Sequence, residues 1–177
     1  MAQVTTSRLQ LWLLVVILGV PVTVAAQDLE KRQIVAGYTS MTDVTDHVTF
    51  PAGWFIGAAA RLNSWLSVAI DVDGQYKTIR FIDSDIHLAS YAPTAGVRAS
   101  GQLGKFVEFV QVLAGGVRSR GTLFGSTEVK WHGVLQPGAG VDYPLNERWA
   151  IRGEFDARIM SSGHELRIAT GIVRRFR

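Results

Sequence analysis

From Arg148 to Ile159 the chain alternates without interruption. Trp149, Ile151, Gly153, Phe155, Ala157 and Ile159 hold every second position, and Arg148, Ala150, Arg152, Glu154, Asp156 and Arg158 hold those between. Successive side chains of a strand point to opposite faces, so this segment reads as a ribbon with one apolar face and one face carrying five charges. A helix would scatter the same arginines around its cylinder. The pattern recurs. From Trp65 to Tyr76, Leu66, Val68, Ile70 and Val72 oppose Ser67, Ala69, Asp71, Asp73 and Gln75. From Trp131 to Tyr143, Leu135, Ala139, Val141 and Tyr143 oppose Gln136, Gly138, Gly140 and Asp142. From His164 to Phe176, Leu166, Ile168, Ile172 and Phe176 oppose Arg167, Ala169, Gly171 and Arg175.

Eight such segments are expected: Gln33 to Met41, Gly53 to Leu62, Ser64 to Tyr76, Asp85 to Ser100, Gly104 to Arg118, Trp131 to Tyr143, Arg148 to Ile159 and His164 to Phe176. Tight turns carrying Asn, Gly or Pro join the second to the third, the fourth to the fifth and the sixth to the seventh. Most of the other connections are longer: Thr42 to Ala52, Lys77 to Ser84 and Ser119 to Lys130, with Ser161 to Gly163 the short exception. Turns at one end and loops at the other describe an up-and-down meander, and the even strand number puts both termini on the turn side. Pro93 and the opposed pair Glu108 and Gln111 point to irregularities in the fourth and fifth strands.

The first 26 residues stand apart. Arg8 is the sole charge before Asp28, and Leu9 to Ala26 is almost wholly apolar, broken by Gly19 and Pro21 and ending in small residues. This is the pattern of a secretory signal over residues 1–26, cleaved after Ala25 or Ala26, with the folded domain over 27–177. Residues 27–177 carry 17 basic and 15 acidic side chains, a charge of +2, and no clustered basic stripe, which speaks against nucleic acid as a partner. The chain has no cysteine, so disulfide frameworks, thiolate zinc sites, cysteine nucleophiles and lipid attachment at a cysteine are excluded. No later apolar run is long enough for a transmembrane helix: the longest, Phe50 to Ala60, contains Pro51 and ends at Arg61.

Alternation alone does not say whether such a barrel stands in water, as a lipocalin-like periplasmic carrier, or in lipid. Three features favour lipid. The charged face mixes both signs with small residues, as a narrow lumen closed by ion pairs requires. The 4 lysines are few beside 14 arginines, whereas a solvated face would carry more lysine. And Trp54, Trp65, Trp131 and Trp149 fall beside predicted strand starts, two at each rim, as an aromatic girdle does.

Gly53 to Val68, with its Gly-rich strand, Arg61, a turn through Asn63 and a resumption at Trp65-Leu66, resembles a hairpin of small bacterial outer-membrane barrels. Pro137 to Arg152 resembles their next-to-last hairpin, and Gly171 to Phe176 their closing strand. The chain from Gln33 to Phe176 is thus similar to the eight-stranded outer-membrane protein beta-barrel domain, of the kind found in the outer-membrane protein A and X group. The resemblance implies an all-β, eight-stranded antiparallel up-and-down transmembrane barrel in the cell outer membrane. It implies a monomer surrounded by outer-membrane lipid and lipopolysaccharide, delivered by the barrel insertion machinery, with Phe176 as the C-terminal insertion signal ahead of Arg177. No peptidoglycan-binding domain is expected after the barrel, so the wall-tethering role of longer relatives is not carried over.

The charged residues assigned to the lumen are Arg61, Asp71, Asp73, Arg98, Asp142, Arg148, Arg152, Glu154, Asp156, Arg158 and Arg167. The acid pairs Asp71/Asp73 and Glu154/Asp156 have a spacing suited to acid–base work or a metal, but so many arginines on the same face make a structural ion-pair network the better reading. His87, His132 and His164 lie near one rim on non-adjacent strands with no ligand spacing, so neither a metal nor any cofactor is expected. A lipid-modifying barrel enzyme is the alternative from another class. Ser161, Ser162, His164 and Glu165 lie close together, but without the His-x-Ser spacing that would put base and nucleophile on one lipid-facing stripe. The expected role is therefore structural or one of surface interaction, with a plugged polar lumen rather than a wide pore, and with an unidentified partner possible at the loop end.

Overall fold

The computed structural model describes residues 31–44, 48–81, 84–123 and 126–176. They form eight strands: β1 (Arg32–Asp43), β2 (Val48–Arg61), β3 (Leu66–Phe81), β4 (Ser84–Leu103), β5 (Phe106–Leu123), β6 (Ser126–Pro144), β7 (Trp149–Met160) and β8 (Gly163–Phe176). Each pairs antiparallel with its chain neighbour, and β8 returns to β1 in register from Arg32↔Phe176 to Asp43↔Glu165. Within the closed part of the barrel each strand has a partner strand on both sides, which is what a bilayer demands of a spanning element. The segment 1–26 lies outside the described residues.

The two faces separate as the alternation requires. In β7, Ala150, Arg152, Glu154, Asp156 and Arg158 are buried while Trp149, Ile151 and Phe155 are exposed. Around the barrel Ile56, Ile70 and Ile168 are 53%, 59% and 64% exposed, whereas Arg152, Arg158 and Arg167 are at most 1% exposed. A water-soluble barrel has the opposite arrangement. This inversion decides between lipid and water.

Two of the turns at the terminus end share one chemistry. Asn63 Oδ1 accepts hydrogen bonds from the backbone N–H of Trp65 and Leu66 at 3.0 and 2.9 Å, and Asn146 Oδ1 accepts from those of Arg148 and Trp149 at 2.9 Å each. The Asn side chain thus stands in for a backbone partner across the reversal. The third turn uses Gly104, whose φ of 59° a side chain would strain.

At the other end the structure differs from the loop expectation. Lys77 to Ser84 and Ser119 to Lys130 are mostly strand, because β3 to β6 continue past the tryptophan rim as two long hairpins. The last β2–β3 pair is Ala52↔Tyr76 and the last β6–β7 pair Val134↔Met160, yet β3–β4 pairing runs on to Phe81↔Ser84 and β5–β6 pairing to Leu123↔Ser126. A four-stranded wall therefore projects beyond the closed barrel. Thr, Ile and Val in these stretches favour the pleated backbone over a loop.

The expected irregularities resolve differently too. At Pro93 the β4–β5 ladder skips between Tyr91↔Arg118 and Thr94↔Gly115 with no change of register, since proline has no N–H to give. β5 holds its register throughout, with Val107, Phe109, Gln111 and Leu113 buried inward and Glu108 on the outer side. The register shift lies instead in β1, between Thr39 and Met41.

Candidate functional site

The interior is a chain of ion pairs. Near the turn end Arg152 grips Asp142 through two hydrogen bonds, Nε to Oδ1 at 2.7 Å and Nη2 to Oδ2 at 2.9 Å, while Arg175 approaches the same carboxylate at 3.7 Å. The parallel fork of a guanidinium on a carboxylate is the strongest geometry such a pair can take. Arg98 donates from Nε and Nη2 to Gln111 Oε1 at 3.0 and 2.6 Å. Gln111 Nε2 in turn donates to Glu154 Oε1 and Asp156 Oδ1 at 3.1 and 3.0 Å. Arg98 and Arg152 also both face the Phe109 ring, at 4.2 and 4.5 Å, so the ring's negative face offsets two cations held near each other.

At mid-height Arg167 is the hub. It donates from Nε to Asp156 Oδ2 at 2.9 Å and from Nη2 to Glu154 Oε1 at 2.5 Å, and Nη1 lies 3.3 Å from Asp71 Oδ1 and 3.6 Å from Asp73 Oδ1. Toward the loop end Arg158 bonds Asp73, donates to Gln136 Oε1 at 2.8 Å, and stands 3.8 Å from Glu165. Glycine makes room for these groups. A Cβ at Gly138 would collide with Asp156 Oδ1, and one at Gly140 with the Phe109 ring.

Nine of the eleven residues assigned to the lumen come together here: Asp71, Asp73, Arg98, Asp142, Arg152, Glu154, Asp156, Arg158 and Arg167. Arg148 does not. It belongs to the turn before β7 and is exposed, because the strand whose alternation it extends starts at Trp149. Arg61 is half-buried at the turn-side mouth, where Nη1 donates to Ser64 O at 3.0 Å rather than to a lumen carboxylate. Gln111, Gln136, Glu165 and Phe109 join the network beyond the residues expected from sequence. Of these Gln136 already falls on the polar face read from Trp131 to Tyr143, and Glu165 carries the same kind of signal, lying two residues before Arg167 and so on its face.

Among the described residues no group of His, Asp and Glu is arranged to hold a metal ion. The side chain of His87 lies outside the described residues. His164 is exposed and Glu165 is buried against Arg158, so two neighbouring residues of the kind an enzyme would use point to opposite sides of the wall.

The four tryptophans of the barrel, Trp54, Trp65, Trp131 and Trp149, are exposed on the outer face. Trp65 and Trp149 stand at the turn end. Trp54 and Trp131 stand toward the other, with the Trp54 indole against Gly74 and the Trp131 ring 3.5 Å from a Cβ position at Gly116. Trp54 Nε1 donates to the Tyr76 hydroxyl at 3.2 Å, which is 3.0 Å from that of Tyr91, extending the rim around three strands. Phe176 pairs with Arg32 and faces the Arg174 guanidinium at 5.4 Å.

A closed eight-stranded barrel with apolar outer face, aromatic rims and an ion-paired interior is the architecture of a small outer-membrane barrel. The family described as outer membrane protein beta-barrel domain matches residues 12–175, and the chain belongs to that family; it is an integral protein of the outer membrane. Among solved structures it is similar to Ail, the attachment invasion locus protein of Yersinia pestis, crystallised with the heparin analogue sucrose octasulfate. The TM-score is 0.65 at 17% identity, over 83% of this chain and 99% of that one. Neisserial surface protein A matches with a TM-score of 0.61 at 15% identity, over 82% of this chain and 96% of the other. OprG of Pseudomonas aeruginosa matches with 0.64 at 10% identity, over 83% and 96%. No curated protein sequence matches the chain.

Proposed function

We propose that the protein is a monomeric structural and surface-contact barrel, without enzymatic activity, whose polar lumen is plugged and hydrated. The observation that carries this reading is the interlocked arginine chain. Arg152, Arg158 and Arg167 lie one behind another along the axis, each bound to carboxylates from other strands, a packing that supports a lumen too narrow for sugars. Asp73 Oδ2, Gln75 Oε1 and Gln136 Nε2 are buried with no protein hydrogen bond, which suits water between the pairs. Conductance is then limited to small ions at most.

The contact surface is the projecting wall of β3 to β6. Arg118 and Arg120 stand on its outer side, paired in register with Trp131 and Val129, where the phosphates of lipopolysaccharide are proposed to lie. The segment 1–26 is proposed as the export signal and Phe176 as the residue read by the insertion machinery.

Liposome swelling tests the plug. Proteoliposomes of the refolded protein are expected to swell in isotonic arabinose no faster than empty vesicles. Swelling at the rate of a sixteen-stranded porin would overturn the reading.

A further inference from the structure

The lipid-facing surface is not smooth. A trough of about 600 Å³ runs along β2 in the half of the barrel nearest the short turns. Its floor is Ala58 and Ala60, and the register supplies its walls: Ile34 and Ile70 flank Ala58, while Arg32 and Val68 flank Ala60. Two rungs of alanine thus lie between larger side chains on both neighbouring strands. Arg32 closes its turn-side end. Phe176 stands on the far side of Arg32, and Arg174 one rung further in, its guanidinium 5.1 Å from the Trp149 ring and 5.4 Å from the Phe176 ring. Among the described residues no Asp or Glu lines the trough.

A second trough of about 610 Å³, between Val110, Val141 and Phe155, makes the comparison informative, because the polar group on its turn-side part is Glu108. The outward polar group is a guanidinium in one groove and a carboxylate in the other. Short turns face the periplasm in such barrels, so both open to the periplasmic leaflet.

We propose that the Arg32 trough is a binding site for one glycerophospholipid of the periplasmic leaflet, with its phosphate on Arg32 and an acyl chain along Ala58 and Ala60. The guanidinium presents donors in the planar fork that phosphate oxygens accept, and a long side chain at the interface carries its charge toward the headgroups. The chain in the groove meets protein on three sides rather than one, which multiplies small dispersion contacts. A trough of this size lies within the range of small-molecule sites, about 300–1,000 Å³. The inference rests on the membrane placement, not on the surface role proposed above.

Native mass spectrometry of the protein released from detergent micelles doped with phosphatidylglycerol, or with a diacylglycerol of the same chains, tests it. A heat-dependent gel shift first establishes that each variant is a closed barrel, separating loss of the site from loss of the fold. The protein should retain one phosphatidylglycerol and release the diacylglycerol. Arg32→Gln should lower retention about tenfold or more, as loss of a charge-assisted hydrogen bond does. Ala60→Leu, which fills the floor without touching charge, should lower it as well, whereas Glu108→Gln should leave it unchanged. Should Arg32→Gln fail to close, Ala60→Leu carries the test. Retention by Ala60→Leu equal to that of the parent chain would overturn the proposal. So would a dimer without bound lipid that Ala60→Leu disrupts, since the trough would then serve a second copy.

Discussion

Replacing Arg167 by methionine is expected to destabilise the barrel by about 3–5 kcal/mol in urea-induced unfolding from lipid vesicles, the largest effect of any single lumen substitution. The reason lies in what remains. Arg167 stands within 3.6 Å of Asp71, Asp73, Glu154 and Asp156, all at most 4% exposed, so its removal leaves four buried carboxylates facing one another with Arg158 on Asp73 and with Arg98 and Arg152 no closer than 3.8 Å to Glu154. Methionine keeps the stem's bulk, which confines the change to charge and hydrogen bonding. An Arg167→Met barrel as stable as the parent would mean that the network does not hold the lumen together.

Replacing Val112 by arginine is expected to cost about 2–4 kcal/mol in the same assay, and Val129→Arg about 0–1 kcal/mol. Both residues face outward with similar exposure, 47% and 42%. They differ in depth. Val112 lies midway along β5 between the Phe106 rim and Arg118, whereas Val129 lies beyond Trp131 on the projecting wall. In water two exposed valines would tolerate arginine alike, so equal costs at the two positions would contradict the bilayer placement.

The legibility of each element in the sequence depends on its physical surroundings. β7 is plain because its two faces meet opposite environments, and a period of two written in arginine and isoleucine has no second reading. The Asn63 and Asn146 turns are equally clear, since a side-chain acceptor bonding two nearby N–H groups is a local device. The upper hairpins of β3 to β6 are not. Outside the membrane both faces of a strand meet water, so residues such as Arg118, Ser119 and Arg120, all exposed, carry no alternation, and the segments resemble loops. Arg148 is misplaced by sequence for a related reason: parity alone extends a strand backward without limit, while the turn chemistry of Asn146 ends it at Trp149. Gln111 escapes because a neutral amide gives no charge signal, although its position between Arg98 and the two acids makes it the bridge of the network.

The comparison of unheated and boiled protein on a denaturing gel tests the central claim most directly. A closed, lipid-adapted barrel extracted in detergent should resist the denaturant at room temperature, migrate faster than its boiled counterpart, and aggregate when detergent is withdrawn. Identical mobility before and after boiling, in a protein freely soluble in plain buffer, would contradict it.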